Sequence, residues 1–166
     1  MSAEKKKQLG VLWLIIALVV VLIGSVVFVG AVSGWFDDTR VTVDEEYKCE
    51  SNCDEMMELS RDDYEKLVDE KKSFVVFIDQ GGCTTADRMR GFVGDWTKEA
   101  GIRVYKMMFG DMKESGLQEY VKYYPSVVLV SHGRVVAWLR ADSDEDADMY
   151  NDYNVFKAWM EKYVSQ

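Results

Sequence analysis

The chain has 166 residues, 48% hydrophobic and 30% charged, which is enough for one domain of ordinary size and too few for two. Its 29 acidic side chains outnumber the 20 basic ones and give a formal net charge of -9. An acidic surface repels polyanions, because nucleic-acid binding depends on clustered Lys and Arg beside phosphates. We therefore expect no nucleic-acid partner.

An uncharged apolar stretch lies near the N-terminus. No charged residue occurs between Gln8 and Phe36, and residues 11–32 are apolar apart from two glycines and one serine. This length suits a bilayer core, whereas the apolar part of a cleavable signal peptide usually has only about 7–15 residues. We predict a cytoplasmic tail over residues 1–9 and a single transmembrane helix over residues 10–34, with a cleaved signal peptide as the alternative.

The charges on either side of this stretch predict its orientation. Lys5, Lys6 and Lys7 precede it, and Asp37 and Asp38 follow it. Positive residues favour the cytoplasmic side, so the N-terminus is expected in the cytoplasm and the rest of the chain outside it. The predicted location is a membrane, with residues 10–34 in contact with lipid.

Residues 35–57 are polar and acidic and are predicted to form a stalk that carries Cys49 and Cys53. In an oxidising compartment such a pair usually forms a disulfide, which would be either a structural staple or a resolving pair for another thiol. The single histidine, His132, falls in a predicted hairpin turn, so we regard a closed four-ligand zinc site as the least favoured interpretation of the cysteines. We expect no metal and no cofactor.

The remaining elements alternate between helical and strand patterns. Ser60, three residues before Asp63, is typical of a helix start, and Gly101 of a helix end. The predicted order is a helix after Ser60, a strand over residues 74–78, a helix containing Met89, Phe92, Val93 and Trp96, a strand over 102–109, a helix over 117–123, a hairpin of strands 126–130 and 135–139, and a closing helix from Met149 to Tyr163. This order predicts an α/β domain over residues 58–166, in which a parallel strand pair is followed by an antiparallel hairpin.

One segment resembles a known family. Residues 74–89, FVVFIDQGGCTTADRM, are similar to the strand, active-site turn and helix start of thioredoxins, with Cys83 at the position of the nucleophilic cysteine. Pro125, the single proline, matches the family's cis-proline within Tyr124-Pro125-Ser126. The resemblance implies a thioredoxin-like mixed sheet with flanking helices. It also implies a cis Tyr124–Pro125 bond and a client-binding site formed by Thr84, Thr85, Tyr124 and Pro125 beside Cys83.

The sequence departs from the family at three positions. Ala86 stands where thioredoxins have the second cysteine, so the site Cys83-Thr84-Thr85-Ala86 has one thiol. Phe77 replaces the family's buried acid, and Gly82 replaces the tryptophan before the nucleophile. These changes argue against ordinary dithiol reductase activity.

Two functions are consistent with this sequence. At the start of a helix, Cys83 would be favoured as a thiolate and could exchange with cysteines of client proteins, as a monothiol oxidoreductase or isomerase. Alternatively, Cys83 is a small apolar core residue, and the domain is a redox-inactive binding module serving as an accessory subunit of a membrane complex.

Overall fold

The computed structural model describes Trp13, Ile16, Val19, residues 40–49, residue 53 and residues 56–165. Within this part of the chain, no helix is both long and apolar enough to cross a membrane. The span predicted over residues 10–34 falls outside the described residues except for Trp13, Ile16 and Val19, so it stays a prediction.

A mixed five-stranded sheet forms the centre of the domain, in the order β2-β4-β3-β5-β6. The strands are β1 (Val41–Thr42), β2 (Met57–Glu58), β3 (Phe74–Asp79), β4 (Tyr105–Met108), β5 (Ser126–Ser131), β6 (Arg134–Trp138) and β7 (Val164–Ser165). β3 runs parallel to β4 and antiparallel to β5. The predicted parallel pair and antiparallel hairpin are therefore confirmed, and the sheet is thioredoxin-like.

The flanking helices are α1 (Arg61–Asp69), α2 (Thr84–Ala100), α3 (Phe109–Glu114) and α4 (Tyr153–Tyr163). The Ser60 hydroxyl accepts a hydrogen bond from the Asp63 amide, and Gly101 ends α2 in the left-handed conformation, both as predicted. The helix predicted over residues 117–123 is wrong. The chain turns helical earlier, at Phe109, and residues 116–119 form only a short 3-10 turn that the Ser115 hydroxyl caps at the Leu117 amide.

The core lies on both faces of β3, whose first five side chains are fully buried. α2 and α4 supply buried side chains that include Met89, Trp96, Phe156 and Met160. A strand covered on both faces is expected to be continuously apolar, which explains the uninterrupted run from Phe74 to Ile78.

The predicted stalk is wrong for residues 40–49, because this segment belongs to the domain. Val41, Val43 and Tyr47 are at most 3% exposed and join the core. β1 pairs in parallel with β7, with Val41 opposite Val164. The domain therefore includes residues 40–49 and does not begin only at residue 58. The acidic composition concealed this because the apolar residues are few and their partner strand lies at the other end of the sequence.

The predicted hairpin between β5 and β6 is confirmed, but its loop has only two residues, His132 and Gly133, because Ser131 and Arg134 belong to the strands. Ser131 pairs with Arg134, and φ is 49° at His132 and 74° at Gly133. Positive φ at both positions matches the tight turn that joins right-twisted strands.

Candidate functional site

Cys83 lies where β3 gives way to α2. Residues 80–82 form the turn, in which Gly82 adopts φ +75°, a conformation that side-chain-bearing residues rarely adopt. Cys83 is the N-cap of α2 but its side chain makes no capping hydrogen bond. The residue is half-buried. The thiol is therefore not occupied by capping the helix, and the residue is partly exposed.

Pro125 lies at the same edge of the sheet. β3 and β5 are antiparallel with Ile78 opposite Ser126, so the end of β3 faces the residue before β5. The predicted cis Tyr124–Pro125 bond is confirmed, and Pro125 is buried. This register brings the turn that carries Cys83 and the Tyr124–Pro125 segment to one end of the central strands.

Aromatic side chains border this edge. β4 also ends there, because Asp79 pairs with Met108. The ring of Tyr124 stacks on that of Phe109 with centroids 4.3 Å apart. Met108 is 41% exposed. The Tyr124 side chain is therefore held by Phe109, which directly follows β4.

The two threonines of the predicted site lie in the first turn of α2. Thr84 is exposed and Thr85 is partly buried. Together with Cys83, Tyr124 and Pro125 they belong to elements that meet at one sheet edge, which we call the Cys83 edge.

A partly buried ion pair braces the turn before Cys83. Asp79, the last residue of β3, is 3% exposed and receives three hydrogen bonds of 2.8, 2.9 and 3.1 Å from the Arg90 guanidinium. Arg90 also contacts Asp87 at 2.8 Å. The carboxylates of Asp87 and Asp79 raise the pKa of Arg90 above its usual value, so it stays charged. The pair ties the end of β3 to the second turn of α2.

A second polar network fastens the Tyr124–Pro125 segment. The Tyr150 hydroxyl donates to the Pro125 carbonyl at 3.0 Å in a buried contact. Arg88 of α2 donates to the Tyr150 carbonyl at 3.3 Å and to Asn151 Oδ1 at 2.6 Å. Sequence reasoning missed Tyr150, Arg88 and the Asp79–Arg90 pair, because no local pattern marks contacts across more than ten residues.

The remaining cysteines are far from this edge. Cys49 and Cys53 form a disulfide with Cα atoms 6.1 Å apart. The Cys49 amide donates to the Gly101 carbonyl at 2.9 Å, which places the disulfide beside the C-terminal end of α2. The 17 residues of α2, rising about 1.5 Å each, separate it from Cys83 by about 25 Å. The disulfide therefore lies at the opposite end of α2 from Cys83, an arrangement that favours the structural staple over the resolving pair.

The positions that distinguish this site from a dithiol are buried. Ala86 and Phe77 are fully buried, and neither side chain has a thiol or a carboxylate to offer Cys83. Within residues 40–49, 53 and 56–165, no cluster of three or more His, Cys, Asp or Glu side chains could hold a metal ion. In the described part of the chain, Cys83 is the one free cysteine, since Cys49 and Cys53 form the disulfide.

Solved structures of thioredoxins are similar to this fold. A mutant thioredoxin from Halobacterium salinarum matches 70% of this chain and 96% of its own, with a TM-score of 0.53 at 14% identity. Chlamydomonas reinhardtii thioredoxin f2 matches 65% of this chain and 95% of its own, with a TM-score of 0.51 at 16% identity.

The thioredoxin of Fasciola hepatica matches 65% of this chain and 99% of its own, with a TM-score of 0.50 at 18% identity. No protein-family model and no curated protein matches the sequence. At these identities the comparisons show a thioredoxin fold.

Proposed function

We propose that this chain is a membrane-anchored, extracytoplasmic thioredoxin-like protein that exchanges disulfides with client proteins through Cys83. One observation carries the proposal. Cys83 is half-buried, does not use its side chain to cap α2, and directly precedes α2 at the same sheet edge as the cis Tyr124–Pro125 bond. A thiolate at a helix start is favoured by the helix dipole and by unpaired amide groups.

The exchange balances without a further oxidant. The Cys83 thiolate attacks one sulfur of a client disulfide, the client S–S bond breaks, and the second client sulfur leaves as a thiolate that takes up a proton. A client thiol or a small thiol then attacks the mixed disulfide and releases Cys83. Because Ala86 offers no internal thiol, an external thiol has to perform this release, which suits isomerisation or a single-step relay.

The experiment is to trap mixed disulfides on the full chain in its membrane. Cells are quenched with acid, free thiols are blocked, and the tagged chain is resolved on non-reducing gels. We expect reductant-sensitive complexes that disappear in Cys83→Ser. Ala86→Cys should shorten their lifetime by adding an internal thiol, and Ala86→Ser, of equal size but without a thiol, should not. Complexes that persist in Cys83→Ser would refute the proposed exchange.

Orientation is tested with the same thiol. A membrane-impermeant maleimide added to intact cells should label Cys83 if the domain is extracytoplasmic. Labelling seen only after detergent permeabilisation would reverse the predicted orientation of residues 10–34.

The second candidate is a redox-inactive binding module that serves as an accessory subunit of a membrane complex. It is favoured by the identity of Ala86 and Phe77, because neither side chain can transfer a proton to or from Cys83 or release it from a mixed disulfide. This candidate predicts that Cys83→Ser copurifies with the same membrane proteins as the wild type, with no mixed disulfide in either.

A further inference from the structure

The Pro125 carbonyl is held from inside the domain by a side chain that the proposed exchange reaction does not use. Tyr150 ends the 3-10 turn Ala147–Tyr150 and is 6% exposed. Its hydroxyl donates to the Pro125 carbonyl at 3.0 Å, so the orientation of the peptide unit between Pro125 and Ser126 is fixed. That unit lies directly between the cis bond and the first residue of β5.

Tyr150 is itself held by the helix that begins after Cys83. Arg88 Nη1 contacts both the Tyr150 carbonyl and Asn151 Oδ1. The Asn151 side-chain Nδ2 donates to the Ala147 carbonyl at 2.9 Å, which closes the short turn on itself. One continuous path of hydrogen bonds thus runs from α2 through Tyr150 to Pro125.

The donor at the centre of this path keeps its proton. Burial, with the nearby carboxylates of Asp146 and Asp142, raises the pKa of Tyr150 well above its usual value. The hydroxyl therefore remains a hydrogen-bond donor at any pH at which thiol exchange is measured. A neutral buried donor with a single strong acceptor is also costly to leave unpaired.

We propose that Tyr150, held by Arg88, is a positioning residue that fixes the Tyr124–Pro125 segment relative to the helix start carrying Cys83. The inference rests on the proposed exchange function and adds to it a preference for polypeptide disulfides over small disulfides. A client polypeptide has to lie along Tyr124 and Pro125 while its sulfur reaches Cys83. Its reaction therefore requires the Tyr124–Pro125 segment and the start of α2 to be held in a fixed relative position. A small disulfide touches only the sulfur and does not require the segment.

The test compares two disulfide probes on the purified full chain in detergent. One probe is a ten-residue peptide carrying an activated aryl disulfide, and the other is the same aryl disulfide without the peptide. Each reaction is monitored by the release of the aryl thiol. The measured quantity is the ratio of the second-order rate constant for the peptide probe to that for the small probe. Tyr150→Phe removes one hydroxyl and keeps the ring.

Because one buried hydrogen bond corresponds to a factor of about 2–10 in an equilibrium, Tyr150→Phe should lower the ratio by about threefold to tenfold. Arg88→Gln should lower it in the same direction, since it releases the other end of the path. A change in folding alone would affect both probes alike and leave the ratio unchanged.

Tyr47→Phe is the matched control. Tyr47 is 3% exposed, and its ring packs on Tyr105 at 5.5 Å, at the end of the sheet opposite the Cys83 edge. This variant should lose stability without changing the ratio.

The outcomes separate the two proposals. A wild-type chain whose Cys83 does not react with the peptide overturns the exchange function and this inference with it. A wild-type chain that reacts, with the same ratio in Tyr150→Phe and Tyr47→Phe, overturns only the positioning role of Tyr150.

Discussion

Removing the Arg90 guanidinium should destabilise the domain far more than removing a surface arginine. In Arg90→Met, a side chain of similar length and helix propensity replaces the cation and leaves the Asp79 carboxylate buried without its three hydrogen bonds. Breaking a fully buried pair costs about 3–5 kcal/mol. The Asp79 side chain is 4% exposed but that of Arg90 is 38% exposed, so water can replace part of the loss. We expect a loss of about 2–3 kcal/mol.

The assay is urea unfolding of the full chain in detergent, monitored by tryptophan fluorescence. Arg61→Met is the control, because Arg61 forms an exposed pair with Glu65 at 3.0 Å on α1, worth at most about 0.5 kcal/mol. Adding Asp79→Asn to Arg90→Met should recover part of the loss, since the unpaired carboxylate is then gone. Equal effects of Arg90→Met and Arg61→Met would refute the reasoning and leave the turn before Cys83 without this brace.

Three further predictions concern stability. Cys49→Ser opens a disulfide loop of sequence separation 4 and should cost about 2 kcal/mol by chain entropy, measured by urea unfolding; no loss would mean that the loop is equally restricted without the bond. Burial raises the pKa of Tyr64 from 10.0 to about 12. Its neutral hydroxyl therefore contributes fully to the free energy of unfolding below pH 10, and this contribution is lost as the pH rises towards 12, because the unfolded chain ionises first. Tyr64→Phe should therefore flatten the fall in unfolding free energy over that window by up to about 1.4 kcal/mol per pH unit, and an unchanged slope would contradict the burial argument. Gly133→Ala should cost about 1–3 kcal/mol in thermal unfolding, because φ is +74° and the new Cβ would lie 2.4 Å from the Val68 carbonyl oxygen. Gly91→Ala, in an open helical position, should instead stabilise by about 0.5–1 kcal/mol, and a tolerated Gly133→Ala would show that this turn can shift.

The elements whose structure is determined by residues close by in the sequence were predictable. The apolar run before Gln80 predicted β3, and the spacing of Met89, Val93 and Trp96 predicted the buried face of α2. Cys83 at the start of α2 followed from the junction of these two patterns. The cis bond before Pro125 followed from the family resemblance.

Elements that depend on distant partners were not predictable. β1 and β7 have two residues each and exist only because they pair with one another. The contact of Tyr150 with Pro125 spans 25 positions, and the Asp79–Arg90 pair joins a strand end to a helix face. The composition of an acidic loop does not show whether a tyrosine in it is buried, so the role of Tyr150 could not be predicted from this sequence alone.

The pairing of β1 with β7 has a consequence for biosynthesis. Thr42 and Ser165 are 123 positions apart, so the first strand of the domain has no partner until residue 165 has left the ribosome. Contacts of such long sequence separation form slowly. If residues 10–34 enter the membrane first, the nascent domain is tethered there while Val41 and Val43 remain unburied. During that interval the N-terminal strand is the segment of this domain that a chaperone would meet first.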